Sequence, residues 1–388
     1  MSDTSKTAIK VPIQMAFTDL GFSYFSKNKK FTSKLSLVDS TNERGILLNN
    51  FTTDFLHQMI SLEFISKIEL SLVEFSSSSS DIMQISKTIV YSKLFQQFGA
   101  VSLNKLLASE CIKKYNRANP RKYFDENTVI DTNTFNTIAV THAEEKAKIQ
   151  NQILMHTTAT ITKNDKYSDE EKKDLTLLAQ QLLVKMPAYN WFLLLLFSAD
   201  PLFPELIETM RKITEEYIER SVMAEYTGLI LLELAKNYET TNIKKEATEI
   251  YGKSVFDEKM LFDPVVRTKI INELQRKNKL IFLSWTLQKG KSTASKTENT
   301  LKISLYNSNT KFADIKESID QKKSVDLRKK SLIDFSKENP GEDLVPDLGL
   351  YYLTYLDDVC KNLNIKFTSH VNLIEQTGLT VIELNFKF

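Results

Sequence analysis

Glu233 and Asn237 lie four residues apart in the stretch LLELAKNYETTN, residues 231–242. In an α-helix this spacing is about one turn, so the two side chains project from the same face. A carboxylate can serve as a general base, and an amide oxygen is a ligand that Mg²⁺ accepts. The pair is consistent with half of a nucleotide–magnesium site, and equally with the partly exposed edge of an apolar helix.

A second segment that could do chemistry is KKYNRANPRKY, residues 113–123, which carries five basic residues, no acidic residue and two tyrosines. Basic and aromatic side chains interleaved in this way can hold single-stranded nucleic acid by phosphate contact and base stacking. A solvated turn around Pro120 has the same pattern. The whole chain has 51 Lys and Arg against 49 Asp and Glu, and this net charge of +2 predicts no global attraction to nucleic acid or to an anionic membrane.

Other residue types that build metal and phosphate sites are scarce. Cys111 and Cys360 are far apart and are expected to be buried, reduced thiols, with a disulfide between them as the alternative. The four histidines show no zinc-binding spacing. The chain has nine glycines and contains neither GxGxxG nor the GxxxxGK(S/T) pattern, so neither a Rossmann site nor a P-loop is expected. The start of the chain is polar, and the apolar run at 191–197 is shorter than the ~20 residues that span a bilayer. These features predict a cytoplasmic protein without a membrane anchor.

The elements that must position these residues are predicted from hydrophobic periodicity. The 388 residues are enough for two or three domains at roughly 150 residues each. An N-terminal mixed α/β domain is expected at 1–130, with strands within 31–40 and 64–75, a loop at 76–81 and a helical pattern from 82 to 114. Residues 131–204 read as a helical hairpin region, with Ser168 and Glu171 forming a capping box before its second helix.

The C-terminal part, residues 205–388, has its own order of predicted elements. A helix through 204–238 is followed by an insertion at 243–278 that contains a helix of its own. Two strands at 279–290 and 298–309 form a hairpin, and a polar region, a helix at 348–365 and a final antiparallel pair follow. The predicted fold class is therefore α+β.

This order resembles the ATP-binding domain of the histidine-kinase-like (GHKL) ATPase superfamily, which includes sensor kinases and gyrase-type topoisomerases. The resemblance covers about residues 205–388 and implies an α/β sandwich that binds ATP and Mg²⁺. Glu233-Leu-Ala-Lys-Asn237 matches the family's ExxxN motif. By that match Asn237 binds the metal, and Glu233 activates water or assists phosphoryl transfer.

The remaining family motifs map onto positions whose residues partly differ. Asn307 stands where the family has the aspartate that recognises adenine, and Asn309 stands where it has a glycine. The glycine-rich helix start is represented by Gly349, although Asp347 replaces another glycine. The last motif is represented by the two residues Gly378 and Thr380.

Sensor kinases place a phosphoacceptor histidine in a helical hairpin before this domain, and His142 in VTHAEEKAK occupies such a place. In that interpretation His142 is a nucleophile activated by Glu144 or Glu145, whereas the alternative is a solvated surface histidine. Because the glycine motifs are eroded, we expect a divergent regulatory protein with weak or absent ATP turnover. Protein partners are expected, with a homodimer formed through 137–186. The alternatives are an active histidine kinase or ATPase, and a module that binds nucleic acid through 113–123.

Overall fold

The computed structural model describes residues 8–27, 32–128, 130–131, 137, 140–165, 167–289, 299–307, 348–374 and 378–388. Within these residues the chain forms a mixed α+β fold with one large antiparallel sheet and ten α-helices, which confirms the predicted class. No helix in these ranges is long and apolar enough to cross a membrane.

Eight strands form the sheet, in the order β2-β3-β1-β4-β5-β6-β8-β7, and all neighbours are antiparallel. The strands are β1 (Ile13–Phe17), β2 (Ser33–Ser36), β3 (Thr41–Leu48), β4 (Ile65–Leu72), β5 (Ile281–Lys289), β6 (Asn299–Asn307), β7 (Lys366–Ile374) and β8 (Leu379–Lys387). The strands β1–β4 come from the N-terminal part of the chain and β5–β8 from the C-terminal part. The two groups of strands join where β4 pairs with β5.

The helices are α1 (Asp19–Lys27), α2 (Thr53–Ser61), α3 (Ser79–Leu107), α4 (Glu110–Ala118), α5 (Ala143–Lys163), α6 (Asp169–Lys185), α7 (Ala188–Leu196), α8 (Phe203–Tyr251), α9 (Pro264–Arg276) and α10 (Leu348–Asn362). Short 3-10 turns precede α3 at Ser76–Ser78 and α9 at Glu258–Phe262.

The chain divides into two compact units. One unit contains Met1–Lys93 and Met223–Phe388, and the other contains Leu94–Val222. The division falls within α3 and α8, and it does not coincide with the predicted boundaries at 130 and 205. The sheet explains the difference, because strands from both ends of the chain must belong to one unit.

Side chains alternate between the two faces of the sheet, as the strand period of two requires. One face carries buried apolar residues along its central strands, among them Leu283, Trp285, Ile303, Leu305 and Leu384. The opposite face carries polar residues such as Ser284 and Ser304 together with the apolar residues Phe282 and Val381. The residues of the apolar face are part of the buried core of the first unit.

Several predicted elements are confirmed. The strands within 279–290 and 298–309 pair as β5 and β6, and the last two strands pair as β7 and β8. In the helical unit α5 packs against α6, and the capping box of Ser168 and Glu171 is formed at the start of α6.

Two local predictions are wrong. Residues 76–81 do not form a loop: Ser76–Ser78 is a 3-10 turn, and α3 begins at Ser79. Helix α8 does not end near residue 238 but continues to Tyr251. It is extended because Ile243 and Ala247 join a hydrophobic cluster with Ile270 of α9.

Candidate functional site

Three of the polar residues that α8 buries form one stripe towards the C-terminal end of the helix. Glu239, Asn242 and Glu246 are separated by three and four residues, so they share a face. Their exposed fractions are 2%, 8% and 3%, which is unusual for carboxylates and amides unless each has a partner. Each of the three contacts a different part of the first unit.

Glu239 is held by the corner between β4 and α3. One of its carboxylate oxygens accepts the backbone N–H groups of Phe75 and Ser76, at 2.7 and 2.9 Å. The other oxygen accepts the Ser76 hydroxyl at 2.9 Å and an Arg267 guanidinium N–H at 2.7 Å. Charge-assisted bonds of this kind are the strong ones, and they leave the Glu239 carboxylate fully engaged.

Arg267 connects this corner to α9. Its guanidinium bonds Glu74 at 2.7 Å as well as Glu239 at 2.7 Å. Burial would lower the pKa of Arg267, but the bonds with Glu74 and Glu239 raise it above its usual value. The arginine is therefore fixed in its charged form between two carboxylates.

Asn242 reaches the last residue of β6. Its side-chain amide nitrogen donates to the side-chain oxygen of Asn307 at 3.1 Å. Asn307 is fully buried, and its own amide nitrogen has no hydrogen-bond partner among the residues that the structure describes. Thr380, also fully buried, is the residue opposite Asn307 in the β6–β8 ladder. This end of the sheet is consequently a small buried polar cluster.

Glu246 completes the stripe. It pairs with the Lys277 ammonium at 2.6 Å, and Lys277 also contacts Glu249 at 2.9 Å. The hydrogen bonds from Lys277 to Glu246 and Glu249 raise the pKa of the lysine. Lys277 caps the C-terminus of α9, so the pair ties α8 to that end of α9.

The structure brings together only some of the residues predicted for a nucleotide site. Asn307 and Thr380 are neighbours across the ladder, but the α8 residue that bonds Asn307 is Asn242. Glu233 and Asn237 are half-buried on α8, roughly two and a half turns and one and a half turns before Asn242.

Three predicted positions stand apart from this cluster. Gly349 lies in the first turn of α10. Gly378 has a φ of 65°, a left-handed conformation that favours glycine, directly before β8. Asn309 lies outside the described residues.

His142 belongs to the other unit, where it is the N-cap residue of α5. Its Nδ1 atom lies 3.0 Å from a carboxylate oxygen of Glu145. Hydrogen bonds from Ser198 and then from His142 lower the pKa of Glu145. Of the two acids predicted to assist His142, the structure pairs it with Glu145.

Sequence reasoning missed Glu239, Asn242, Glu246 and Arg267. The signal for the three helical residues was present, because polar residues at positions 239, 242 and 246 repeat with the period of one helix face. Within the described ranges, no group of three or more His, Cys, Asp and Glu side chains could hold a metal ion.

The fold and this polar stripe define a mixed α+β protein whose longest helix is bonded to an eight-stranded antiparallel sheet. The chain belongs to a family of unknown function, DUF8084, whose family model matches residues 4–388. It is 28% identical over 387 residues to a protein of Treponema pallidum (strain Nichols) named "Uncharacterized protein", with 100% of each chain covered. No solved structure matches the chain.

Proposed function

We propose that this protein is a divergent histidine-kinase-like regulatory protein that acts mainly through protein contacts and turns over little or no ATP. The observation that carries the proposal is an exposed, uncharged surface on the helical hairpin of α5 and α6. The order of α8, β5, β6, α10, β7 and β8 supports the kinase-like origin, since it follows the order expected for the GHKL domain.

The hairpin surface consists of one uncharged segment on each of the two helices. Residues 149–162 of α5 and 175–184 of α6 include no Asp, Glu, Lys or Arg. Met155 is 64% exposed on α5, and Leu177 and Val184 are 43% and 65% exposed on α6. Leu177 and Val184 are seven residues apart, so they share one face of α6.

A second copy of the chain is the partner that fits this surface. In a two-fold symmetric interface the same surface patch of both copies meets, so a face with charges of one sign would repel itself. An uncharged face with apolar anchors avoids that repulsion and gains from burial. The hairpin therefore supports a homodimer through the segment 137–186.

The α8 stripe favours weak or absent ATP turnover. Glu239, Asn242 and Glu246 are already bonded to Arg267, Asn307 and Lys277. A metal or a phosphate would have to compete with these internal partners, and Asn307 is fully buried. The residues present fit a structural role for this face of the helix better than a Mg²⁺–ATP site.

Sedimentation velocity on the full chain tests the hairpin surface. The native protein is expected to be a dimer, and Met155→Lys and Val184→Lys are expected to be monomers because each places two like charges in a symmetric interface. Thr160→Lys is the matched control, since Thr160 is also exposed on α5 but lies on a different face of the helix from Met155. A monomeric native protein, or a dimer that survives both substitutions, contradicts the proposal.

The contact between His142 and Glu145 supports a second candidate function, an active histidine kinase. A carboxylate that accepts a proton from imidazole helps to make it a nucleophile. Incubation with labelled ATP should then give acid-labile label on the native protein and none on His142→Ala. Absence of label on the native protein rejects this candidate.

The third candidate is nucleic-acid binding through 113–123. Five basic residues of this segment are exposed, although two of them pair with Glu110: Lys113 at 3.1 Å and Arg117 at 3.9 Å. A gel shift with single-stranded RNA that weakens steeply with salt would support it. No shift at low salt excludes it.

A further inference from the structure

The imidazole of His57 lies between two serine hydroxyls, one on α2 and one on α3. His57 is half-buried in the middle of α2. Its Nδ1 atom lies 2.9 Å from the hydroxyl oxygen of Ser92 on α3, and its Nε2 atom lies 3.3 Å from the hydroxyl oxygen of Ser61. Ser61 is the last residue of α2 and follows His57 by four positions, so the two side chains share one face of the helix.

The hydroxyl of Ser92 determines which imidazole nitrogen carries the proton. Ser92 is fully buried, and its hydroxyl donates to the backbone carbonyl oxygen of Thr88 at 2.6 Å. A carbonyl oxygen has no proton to give, and two oxygen atoms this close repel each other unless a proton lies between them. The single hydroxyl proton of Ser92 is therefore used at Thr88, and the Ser92 oxygen accepts the Nδ1–H of His57. The neutral imidazole then carries its lone pair on Nε2.

The Nε2 lone pair faces Ser61. In this tautomer Nε2 can only accept, so the Ser61 hydroxyl is the donor of the contact. A serine hydroxyl bonded to an imidazole base, which a third group orients, is the arrangement that activates serine as a nucleophile. The 3.3 Å separation is longer than an ideal hydrogen bond, as is common at such sites before a substrate binds. Ser61 is half-buried, which leaves part of the residue open to solvent.

We propose that Ser61 is a nucleophile that accepts an acyl group from an activated ester, with His57 as its general base. The Ser61 oxygen forms a bond to the carbonyl carbon, and the hydroxyl proton passes to Nε2. As the C–O bond of the ester breaks, Nε2 returns this proton to the departing oxygen, so an alcohol leaves and an acyl-serine remains. Water then attacks the acyl-serine with the same help from Nε2, which releases a carboxylic acid and restores Ser61.

The contact with α3 supports the charged form of His57 that this step creates. A protonated imidazole keeps its Nδ1–H bond to Ser92, and a hydrogen bond becomes stronger when its donor carries a charge. Ser92 acts on the reaction through the ring, so it is a positioning residue. This activity goes beyond the proposed regulatory function and involves no residue of the α5–α6 hairpin.

A fluorophosphonate tests the nucleophile on the full chain, because it forms a stable phosphonate ester with a reactive serine and loses fluoride. Peptide mass spectrometry should find the label on Ser61 and not on Ser23, an exposed serine of α1. His57→Gln should slow the labelling of Ser61 by roughly 100-fold, the effect of losing a general base. An unlabelled Ser61 in the native protein, or an unchanged labelling rate in His57→Gln, overturns the proposal.

Hydrolysis of p-nitrophenyl acetate tests the acyl step. The native protein should release p-nitrophenol faster than Ser61→Ala, which removes the nucleophile but keeps the base. Equal rates in the two proteins overturn acyl transfer through Ser61. Circular dichroism on the same samples shows whether each variant is folded.

Ser92→Ala tests the positioning of the base. Without the acceptor of the Nδ1–H bond, the labelling rate of Ser61 should fall about fivefold, the effect of one neutral hydrogen bond. Ser86→Ala is the matched control and should leave the rate unchanged. Ser86 is equally buried on another face of α3, and its hydroxyl also bonds a backbone carbonyl, that of Ile82 at 2.8 Å.

Nitrogen NMR of the His57 ring gives a readout that a structural role of Ser92 alone would not move. The neutral ring of the native protein should carry its proton on Nδ1, and Ser92→Ala should gain the form with the proton on Nε2. A native ring with its proton on Nε2 overturns the proposal, and equal labelling rates in Ser92→Ala and Ser86→Ala overturn the role of Ser92.

Discussion

Glu239 and Glu233 are carboxylates on the same helix with different roles. Glu233 is half-buried, whereas Glu239 is buried and accepts four hydrogen bonds, one of them from a charged arginine. Without Glu239, Arg267 would keep Glu74 as a carboxylate partner but lose the more deeply buried of its two ion pairs. Loss of Glu239 would also leave two backbone N–H groups at the β4–α3 corner unpaired.

We therefore expect Glu239→Ala to lower the free energy of unfolding by about 3–5 kcal/mol. Glu233→Ala, on the same helix, should change it by less than about 1 kcal/mol, because it removes a half-buried side chain. Urea denaturation of both variants and the native protein measures the difference. Equal losses in the two variants would contradict the assignment of Glu239 as the structural carboxylate.

At the residue scale the sequence indicated the helix but not the residues that bond. Glu233 and Asn237 share a helix face by their four-residue spacing, and the spacing of Glu239, Asn242 and Glu246 carries the same information. Which of two polar stripes turns inward depends on Phe75, Arg267 and Lys277, which lie far away in the sequence. Periodicity along one helix cannot show those partners.

At the scale of elements, the contact between α1 and the start of β4 is set by a single glycine. A β-carbon at Gly21 would collide with the backbone carbonyl oxygen of Phe64. Backbone cannot move aside as a flexible side chain can, so helix and strand approach this closely only because residue 21 has no side chain.

Gly21→Ala should accordingly be destabilising, although the same change in a helix exposed to solvent gains about 1 kcal/mol. The expected sign is a lower melting temperature. Ser23→Ala, at an exposed position of the same helix, is the control and should leave it unchanged or raise it slightly. A Gly21→Ala protein as stable as the native one would show that α1 is free to shift away from Phe64.

Elements with a clear local pattern could be predicted from sequence. The alternation in β5, β6 and β8 and the capping box at Ser168 are local signals, and the structure has these elements. The start of α3 was missed because a run of serines has low helix propensity. This turn is stabilised by a residue that is far away in the sequence, because Glu239 accepts the N–H groups of Phe75 and Ser76.

At the scale of the whole molecule, the sheet could not be predicted from sequence. Its order places β4 beside β5, so residues near 70 pair with residues near 283. Each strand's own pattern shows which face is apolar but not which distant strand it pairs with. That pairing is also why the compact units differ from the predicted division of the chain.

Glu69 makes the stability of the whole molecule depend on pH. Burial raises its pKa from 4.5 to about 7 on folding, so the folded state holds a proton that the unfolded state releases. The contribution is fully present below the unfolded pKa and is lost as pH rises through the folded pKa. The difference between the unfolded and folded pKa of Glu69 corresponds to about 3 kcal/mol in the free energy of unfolding.

We expect the free energy of unfolding to decrease between about pH 4.5 and pH 7 in the native protein. Glu69→Gln should show a smaller decrease, and the difference between the two curves isolates this carboxyl from all other groups. Urea titrations at a series of pH values provide both curves. Parallel curves would show that Glu69 has the same proton affinity in the folded and unfolded states.

We propose that this protein works through contacts with other proteins and makes little or no use of ATP. Isothermal calorimetry of the full native chain with ATP and Mg²⁺ tests it most directly, with Asn237→Ala as the matched variant. We expect no saturable binding up to about 1 mM, which corresponds to a binding free energy weaker than about −4 kcal/mol. Micromolar binding by the native protein that disappears in Asn237→Ala would contradict it.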